Sequence, residues 1–233
     1  MCGFAGFVGE VENREQVLEN MIDTIIHRGP DSSGKFVDED AALGFRRLSI
    51  IDLSESGDQP LYNEDRSKVL VFNGEIYNYQ ELREELIQAG HTFVSNTDSE
   101  TLIHGYEQWG EELVYRLRGM YAFAIWDQKA KRLFSARDIF GIKPLYYAQM
   151  NGTLMFGSEI KSFLEHPKFD KVFNEDALGN YLSFQFVPTN ETFFKGVFCV
   201  QPGHYFVYEN GKMTIKRYFE PLSLIHISEP TRR

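Results

Sequence analysis

The first nine residues, Met-Cys-Gly-Phe-Ala-Gly-Phe-Val-Gly, constrain this chain more than any other stretch. Glycines at positions 3, 6 and 9 interleave with Phe4, Phe7 and Val8, a pattern that suits a buried strand with very close backbone approach. Cys2 follows the initiator methionine directly. Once Met1 is removed, one residue carries both a thiol and a free α-amine. Their reference pKa values are about 8.5 and about 7.7–8.0, so the amine can serve as base for its own thiol near neutral pH. Alone, the stretch reads first as an ordinary buried strand with a cysteine near its start, and the rest of the chain has to decide.

At 233 residues there is room for one large domain or two small ones and for a sizeable core. Formal net charge is −10 with no block of like charge, so the basic footprint that nucleic acid requires is missing. Apolar runs are too short to span a bilayer, and no basic-then-apolar leader precedes Cys2, so no membrane partner and a cytoplasmic location are expected. Two cysteines cannot build a disulfide framework, and Cys199, among apolar neighbours, reads as a buried small hydrophobe. The six histidines are scattered, with no two at ligand spacing on one helix, so no metal is expected.

Along the chain, residues 14–27 read as an amphipathic helix, and His27-Arg28-Gly29-Pro30-Asp31 as a surface turn or a site loop. Residues 41–51 read as a strand that carries Arg46 and Arg47. A guanidinium there binds a carboxylate through two parallel hydrogen bonds, or makes a plain surface ion pair. A short strand over 69–72 runs into Asn73-Gly74, which is either a type I′ hairpin turn or a pair of donors for a carbonyl oxygen. Capping-box spacing from Asn78 to Glu81 favours strand followed by helix, and weakens the hairpin. Thr97 and Glu100 have the same spacing, which puts Asp98 at a helix N-terminus, as a cap or as a carboxylate for an ammonium group. From Gly119 onward strands dominate, including a hairpin-like pair over 196–200 and 204–208 around Gln201-Pro202-Gly203. No βαβ alternation occurs, so the expected class is α+β, with antiparallel sheet covered by helices. Twenty phenylalanines support a large sandwich core. Residues 222–233 continue neither pattern and read as a foreign tail, which leaves 1–221 as the domain.

A thiol–amine nucleophile acting on a free amino-acid amide needs two oxyanion donors, a guanidinium for the α-carboxylate and a carboxylate for the ammonium. Cys2, Asn73 with Gly74, Arg47 and Asp98 supply those four roles. With MCGFAGFVG, HRGPDSSG, RRLSIIDLS, NGEIYNYQELR, NTDSE, GMYAFAIWD and ARDIFGIKPLYY in order, the chain resembles the glutamine-hydrolysing domain of class II (N-terminal-nucleophile) glutamine amidotransferases. NGEIYN and RLSIIDLS resemble the amino-terminal half of asparagine synthetases in particular.

The resemblance implies a four-layer αββα sandwich with two antiparallel sheets. It implies Cys2 as nucleophile, its freed α-amine as base, and Asn73 and Gly74 as the oxyanion hole. Arg47 would hold the glutamine carboxylate and Asp98 its ammonium, with Leu48, Ser49, Ile50, Ile51 and Glu75 lining the pocket. Glutamine is the implied substrate, and this half-reaction needs no cofactor. Aspartate and Mg-ATP belong to a synthetase domain that has no counterpart here, and homodimerisation is left open. The rival expectations are a domain that feeds ammonia to another acceptor, and a non-catalytic glutamine-binding domain.

Overall fold

The computed structural model describes residues 1–48 and 57–220. Ser49, Ile50 and Ile51, the end of the expected 41–51 strand and the 222–233 tail lie outside the described residues. The strands are β1 (Gly3–Val8), β2 (Ser32–Val37), β3 (Ala41–Arg47), β4 (Leu61–Tyr62), β5 (Lys68–Ile76) and β6 (Gly119–Asp127), followed by β7 (Arg132–Arg137), β8 (Tyr146–Met150), β9 (Thr153–Gly157), β10 (Val197–Cys199), β11 (His204–Glu209) and β12 (Lys212–Arg217). The α-helices are α1 (Arg14–Asp23), α2 (Tyr79–Gln88), α3 (Asp98–Trp109), α4 (Leu113–Arg116) and α5 (Glu175–Phe184).

All strand pairs are antiparallel, in two six-stranded sheets ordered β10-β8-β9-β1-β3-β2 and β12-β11-β7-β6-β5-β4. Side-chain alternation then builds three separate cores. Phe4, Leu43 and Phe45 of the first sheet meet Val69, Val71, Ala124 and Phe206 of the second. On the outer face of the first sheet, Ala5, Phe7 and Ala42 pack on Leu18, Met21 and Ile22 of α1. On the outer face of the second, Leu70, Phe72 and Phe123 pack on Leu82 of α2 and on Leu102, Ile103 and Tyr106 of α3. Three cores between four layers make the αββα sandwich. Both central sheets are covered on each face, which is why their strands read as nearly continuous apolar runs rather than clean alternations.

Several local expectations are corrected. Asn73-Gly74 is not a turn: β5 runs straight through it to Ile76, paired along its whole length with β6. The expected helix over 14–27 ends at Asp23, and residues Ile26–Arg28 form a separate 3-10 turn. Neither capping box forms. Asn78 instead donates to the Arg116 carbonyl (3.0 Å) and accepts from the Arg118 amide (2.9 Å), while Glu100 accepts from the Val94 and Ser95 amides at 2.7 Å each. The strands around Gln201-Pro202-Gly203 do not pair with each other. β10 joins β8 in the first sheet and β11 joins β7 in the second, so the turn carries the chain between sheets. Cys199 is only half-buried, and the Arg137 guanidinium lies 3.0 Å from its sulfur. Burial nonetheless pushes its thiol pKa up against the opposing effect of Arg137. No helix among the described residues is long and apolar enough to cross a membrane.

Candidate active site

Alternation along three strands decides which side chains meet. On β1 and β3 the residues that point into the inter-sheet core are Phe4 and Val8, and Ala41, Leu43 and Phe45. The same parity carries Cys2 and Arg47 to that face, at one end of the gap, since Gly3 pairs with Arg46. On β5 the inward set is Val69 and Val71, so Asn73 and Glu75 continue it at the strand's far end.

The Cys2 thiol is half-buried and packs against the inter-sheet core. The Leu48 amide approaches its sulfur at 3.4 Å, and that sulfur lies 3.6 Å from the Leu48 carbonyl. Arg47 is buried, and its Nη1 donates to Asp58 Oδ1 at 2.8 Å. Its guanidinium passes so close over Gly57 that a β-carbon there would push it aside. Gly74 is constrained, because a side chain would run into the Met120 carbonyl on the neighbouring strand.

Asn73 is 2 % exposed, and its Nδ2 has no hydrogen-bond partner among the described residues. Leaving such a donor unmet costs about 1–3 kcal/mol, so it stands out in the structure. At the end of the same strand, Asp98 Oδ2 accepts the Ile76 amide at 2.9 Å. Burial raises the Asp98 pKa, and the nearby Glu75 carboxylate adds to it, against the lowering effect of backbone amides. Two carboxylates this close, one of them raised, make a site that is short of a cation.

Other residues hold this end together: Arg28, from the loop offered as a surface turn or a site loop, and Gln59 and Lys143, which carry no local cue. Arg28 Nε donates to the Cys2 carbonyl at 3.0 Å and its Nη1 to Glu159 at 3.0 Å, while its side chain lies across Gly3. Burial favours the neutral form of Glu159, but Arg28, His27 and Lys161 outweigh it and lower its pKa. Gln59 acts as a strand surrogate, its side-chain amide bonding both the amide (2.6 Å) and carbonyl (3.1 Å) of Phe72, next to Asn73. The buried Lys143 reaches the Met1 sulfur at 3.4 Å from a loop whose turn is held by Asp138. The Arg28 loop is marked by its polarity. The other two contacts span too much sequence to leave a local signal.

Two open depressions, lined by residues such as Glu10, Arg14 and Lys168 or Trp126, Lys131 and Asn210, lie at the opposite end of β1 and touch none of these groups. They combine both signs of charge and converge on no nucleophile.

The model of the glutamine amidotransferase domain matches residues 1–219. The chain belongs to the glutamine amidotransferase domain family. It is 46 % identical over 226 residues to asparagine synthetase [glutamine-hydrolyzing] 1 of Bacillus subtilis, covering 94 % of this chain and 35 % of that protein. It is also 36 % identical to the amidase chry2 of Gibberella zeae, over 89 % of this chain and 32 % of that one. The chain thus spans about a third of the length of the curated relatives it matches. Among solved structures, the allosteric regulatory enzyme of purine biosynthesis superposes with a TM-score of 0.71 at 20 % identity, covering 94 % of this chain and 49 % of that one. The glutamine phosphoribosylpyrophosphate amidotransferase of B. subtilis does so with 0.69 at 21 %, with the same coverage. At such identities these two establish the fold alone, and it is the amidotransferase sandwich with its two antiparallel sheets.

Proposed function

We propose that this amidotransferase domain hydrolyses glutamine to glutamate and ammonia through a thioester on Cys2, and that it supplies the ammonia to asparagine synthesis in a longer parent protein. The observation that carries the reading is the buried amide of Asn73, without a partner among the described residues, on the same face and at the same end of the inter-sheet gap as Cys2.

In this reading Met1, 58 % exposed, is removed to free the Cys2 α-amine. The amine takes the thiol proton, and the thiolate attacks the side-chain amide carbon of glutamine. The carbonyl oxygen becomes an oxyanion that accepts from Asn73 Nδ2 and the Gly74 N–H, donors fixed in place before the reaction. The ammonium form of the α-amine returns its proton to the leaving nitrogen, and ammonia departs from a γ-glutamyl thioester. Water, deprotonated by the same amine, then attacks the thioester, and glutamate leaves with the thiol restored. Arg47 receives the α-carboxylate, sharing its fork with Asp58, and Asp98 with Glu75 receives the ammonium. Leu48 borders the thiol, and Ser49, Ile50 and Ile51 are assigned to the same pocket wall. Every proton is moved by the chain's own groups, so no metal or cofactor enters this half-reaction. ATP and aspartate enter only in the parent.

The asparagine assignment rests on the identity to the synthetases. The match to an amidase favours a second reading in which the ammonia, or the acyl transfer itself, serves another acceptor. Intact mass of the purified chain before and after incubation with a diazo-ketone glutamine analogue tests the core of the proposal. Loss of one methionine and a single adduct on Cys2 are expected, with glutamate and ammonia released from glutamine by the wild type and only background release by Cys2→Ala. Retained Met1 with no adduct and no ammonia would leave a glutamine-binding scaffold instead.

A further inference from the structure

On the outer helical layer, away from Cys2, three residues distant in sequence converge. His91 lies just beyond α2, and His104 and Glu107 are one turn apart on α3. Their ligand atoms all lie within 4.8 Å of one another. Glu107 Oε2 is 3.1 Å from His104 Nδ1 and 3.8 Å from His91 Nδ1. Tetrahedral zinc with ligands at 2.0–2.1 Å sets neighbouring ligand atoms about 3.3 Å apart, so the widest pair of the set has to close by up to about 1.5 Å. Glu64, half of its side chain exposed, places Oε1 3.8 Å from His104 Nδ1 and can swing in as the fourth donor.

The surroundings hold the donors in place. His91 Nε2 donates to Gln108 Oε1 at 3.1 Å, an outer acceptor that fixes the tautomer leaving its Nδ1 free to ligate. His104 Nδ1 is hydrogen-bonded to Glu107 Oε2 at 3.1 Å, a bond that a metal would replace, and its Nε2 lies 3.6 Å from Glu100 Oε1. Glu100 is itself held by the Val94 and Ser95 amides, and the second oxygen of Glu107 by Asn63 Nδ2 at 2.8 Å. The His104 side chain is 2 % exposed and wedged edge-on against Phe93 at 4.7 Å, so its orientation is set by packing. Among the described residues, Glu64, Glu100 and Glu107 face Lys68, 3.9 Å from Glu107, and the two histidines.

We propose that His91, His104 and Glu107, completed by Glu64, bind one divalent transition-metal ion of the zinc type, which clamps the segment after α2 onto α3. The nitrogen-rich donor set selects zinc or cobalt over magnesium or calcium. The ion's role is structural. It ties the residues leading into α3 to the body of that helix, whose first residue is Asp98. Nothing in the hydrolysis of glutamine passes through it.

The test is titration of the full chain with Zn²⁺ alone, read by calorimetry, and with Co²⁺, read by absorption. Expected are one equivalent bound, visible Co²⁺ bands of tetrahedral intensity without a near-ultraviolet thiolate band, and a Tm raised by roughly 5–10 °C at a hundredfold excess over Kd. His104→Gln replaces a buried ring and can destabilise the fold, so the deciding variant is the more accessible His91→Gln. It should weaken Zn²⁺ binding at least tenfold while keeping the metal-free Tm and the metal-free glutaminase rate. Binding no tighter than millimolar, a thiolate band that points to Cys2 or Cys199, or unchanged affinity in His91→Gln would overturn the site.

Discussion

Two regions of this domain break the ordinary rules of burial in opposite senses. At the Cys2 end of the inter-sheet gap, polar groups are shut away from water with hydrogen-bonding capacity unused: Asn73 Nδ2 and Arg28 Nη2 have no partner among the described residues, and Asp98 is held above the usual carboxylate range by burial. Around α5 the violation is apolar. Of that helix only Ala177 is buried, while Leu182 is 72 % and Phe184 58 % exposed, beside exposed Phe173 and Phe186. The first region is short of hydrogen-bond partners where water cannot reach, and the second is short of cover where water can. Local rules are broken where a group outside the chain completes the structure, and the sign of the breakage tells what kind of group that is. An anion-forming carbonyl and an ammonium suit the first. An apolar surface would suit the second, and none among the described residues provides it.

Four variants press on that contrast. The largest effect belongs to Asn73→Leu, which removes the unmet donor and keeps the volume. Glutaminase kcat should fall about 10²–10³-fold, as for loss of one oxyanion donor, while the Tm stays level or rises. A fall of many degrees would mean that the Asn73 amide is satisfied in the folded protein, and that the two regions do not differ as described. Arg47→Lys comes next. Losing the planar fork should raise KM for glutamine about tenfold, the scale of one charged hydrogen bond, with kcat largely kept.

Asp98 gives a smaller effect, in pH. Its folded pKa is raised, so on increasing pH the unfolded carboxyl loses its proton first. Stability therefore declines from the ordinary aspartate range up to the raised value and is level above it. Over the same window the ionised form, which the substrate ammonium needs, fills in, so KM should fall as pH rises. Parallel denaturation and kinetic titrations check both slopes, and Asp98→Asn should flatten both. The smallest effect is at α5. Leu182→Ser with Phe184→Ser should change stability by no more than about 0.5 kcal/mol per site, yet reduce hydrophobic-dye binding and aggregation. A substantial loss of stability would show that these side chains are packed after all.

Much of the architecture was legible where one physical rule dominates. The glycine-spaced β1 announces a strand with crowded neighbours. What escaped was decided at long range. β2, reading Ser-Ser-Gly-Lys-Phe-Val, is an edge strand with alternate residues exposed, and its polar start looks like loop. The Gln201-Pro202-Gly203 turn looks like any hairpin turn, because nothing local tells which sheet each flank will join. Cys2, Arg47, Asn73 and Asp98 stand out as candidates because their chemistry is uncommon in combination. Arg28, Gln59 and the pairing of His91 with His104 depend on which strands and helices become neighbours, and that is settled only by the folded topology.

The place of β1 in its sheet sets a timetable. It is the first strand to be made, yet it sits between β3 and β9, and Val8 pairs with both Ala41 and Leu154. At about 5–20 residues per second, some 150 residues of further synthesis keep its second edge open for roughly ten to thirty seconds. Under the proposed function, that interval leaves the strand carrying Cys2 unlocked while Met1 is removed, before the sheet that half-buries the thiol has been finished.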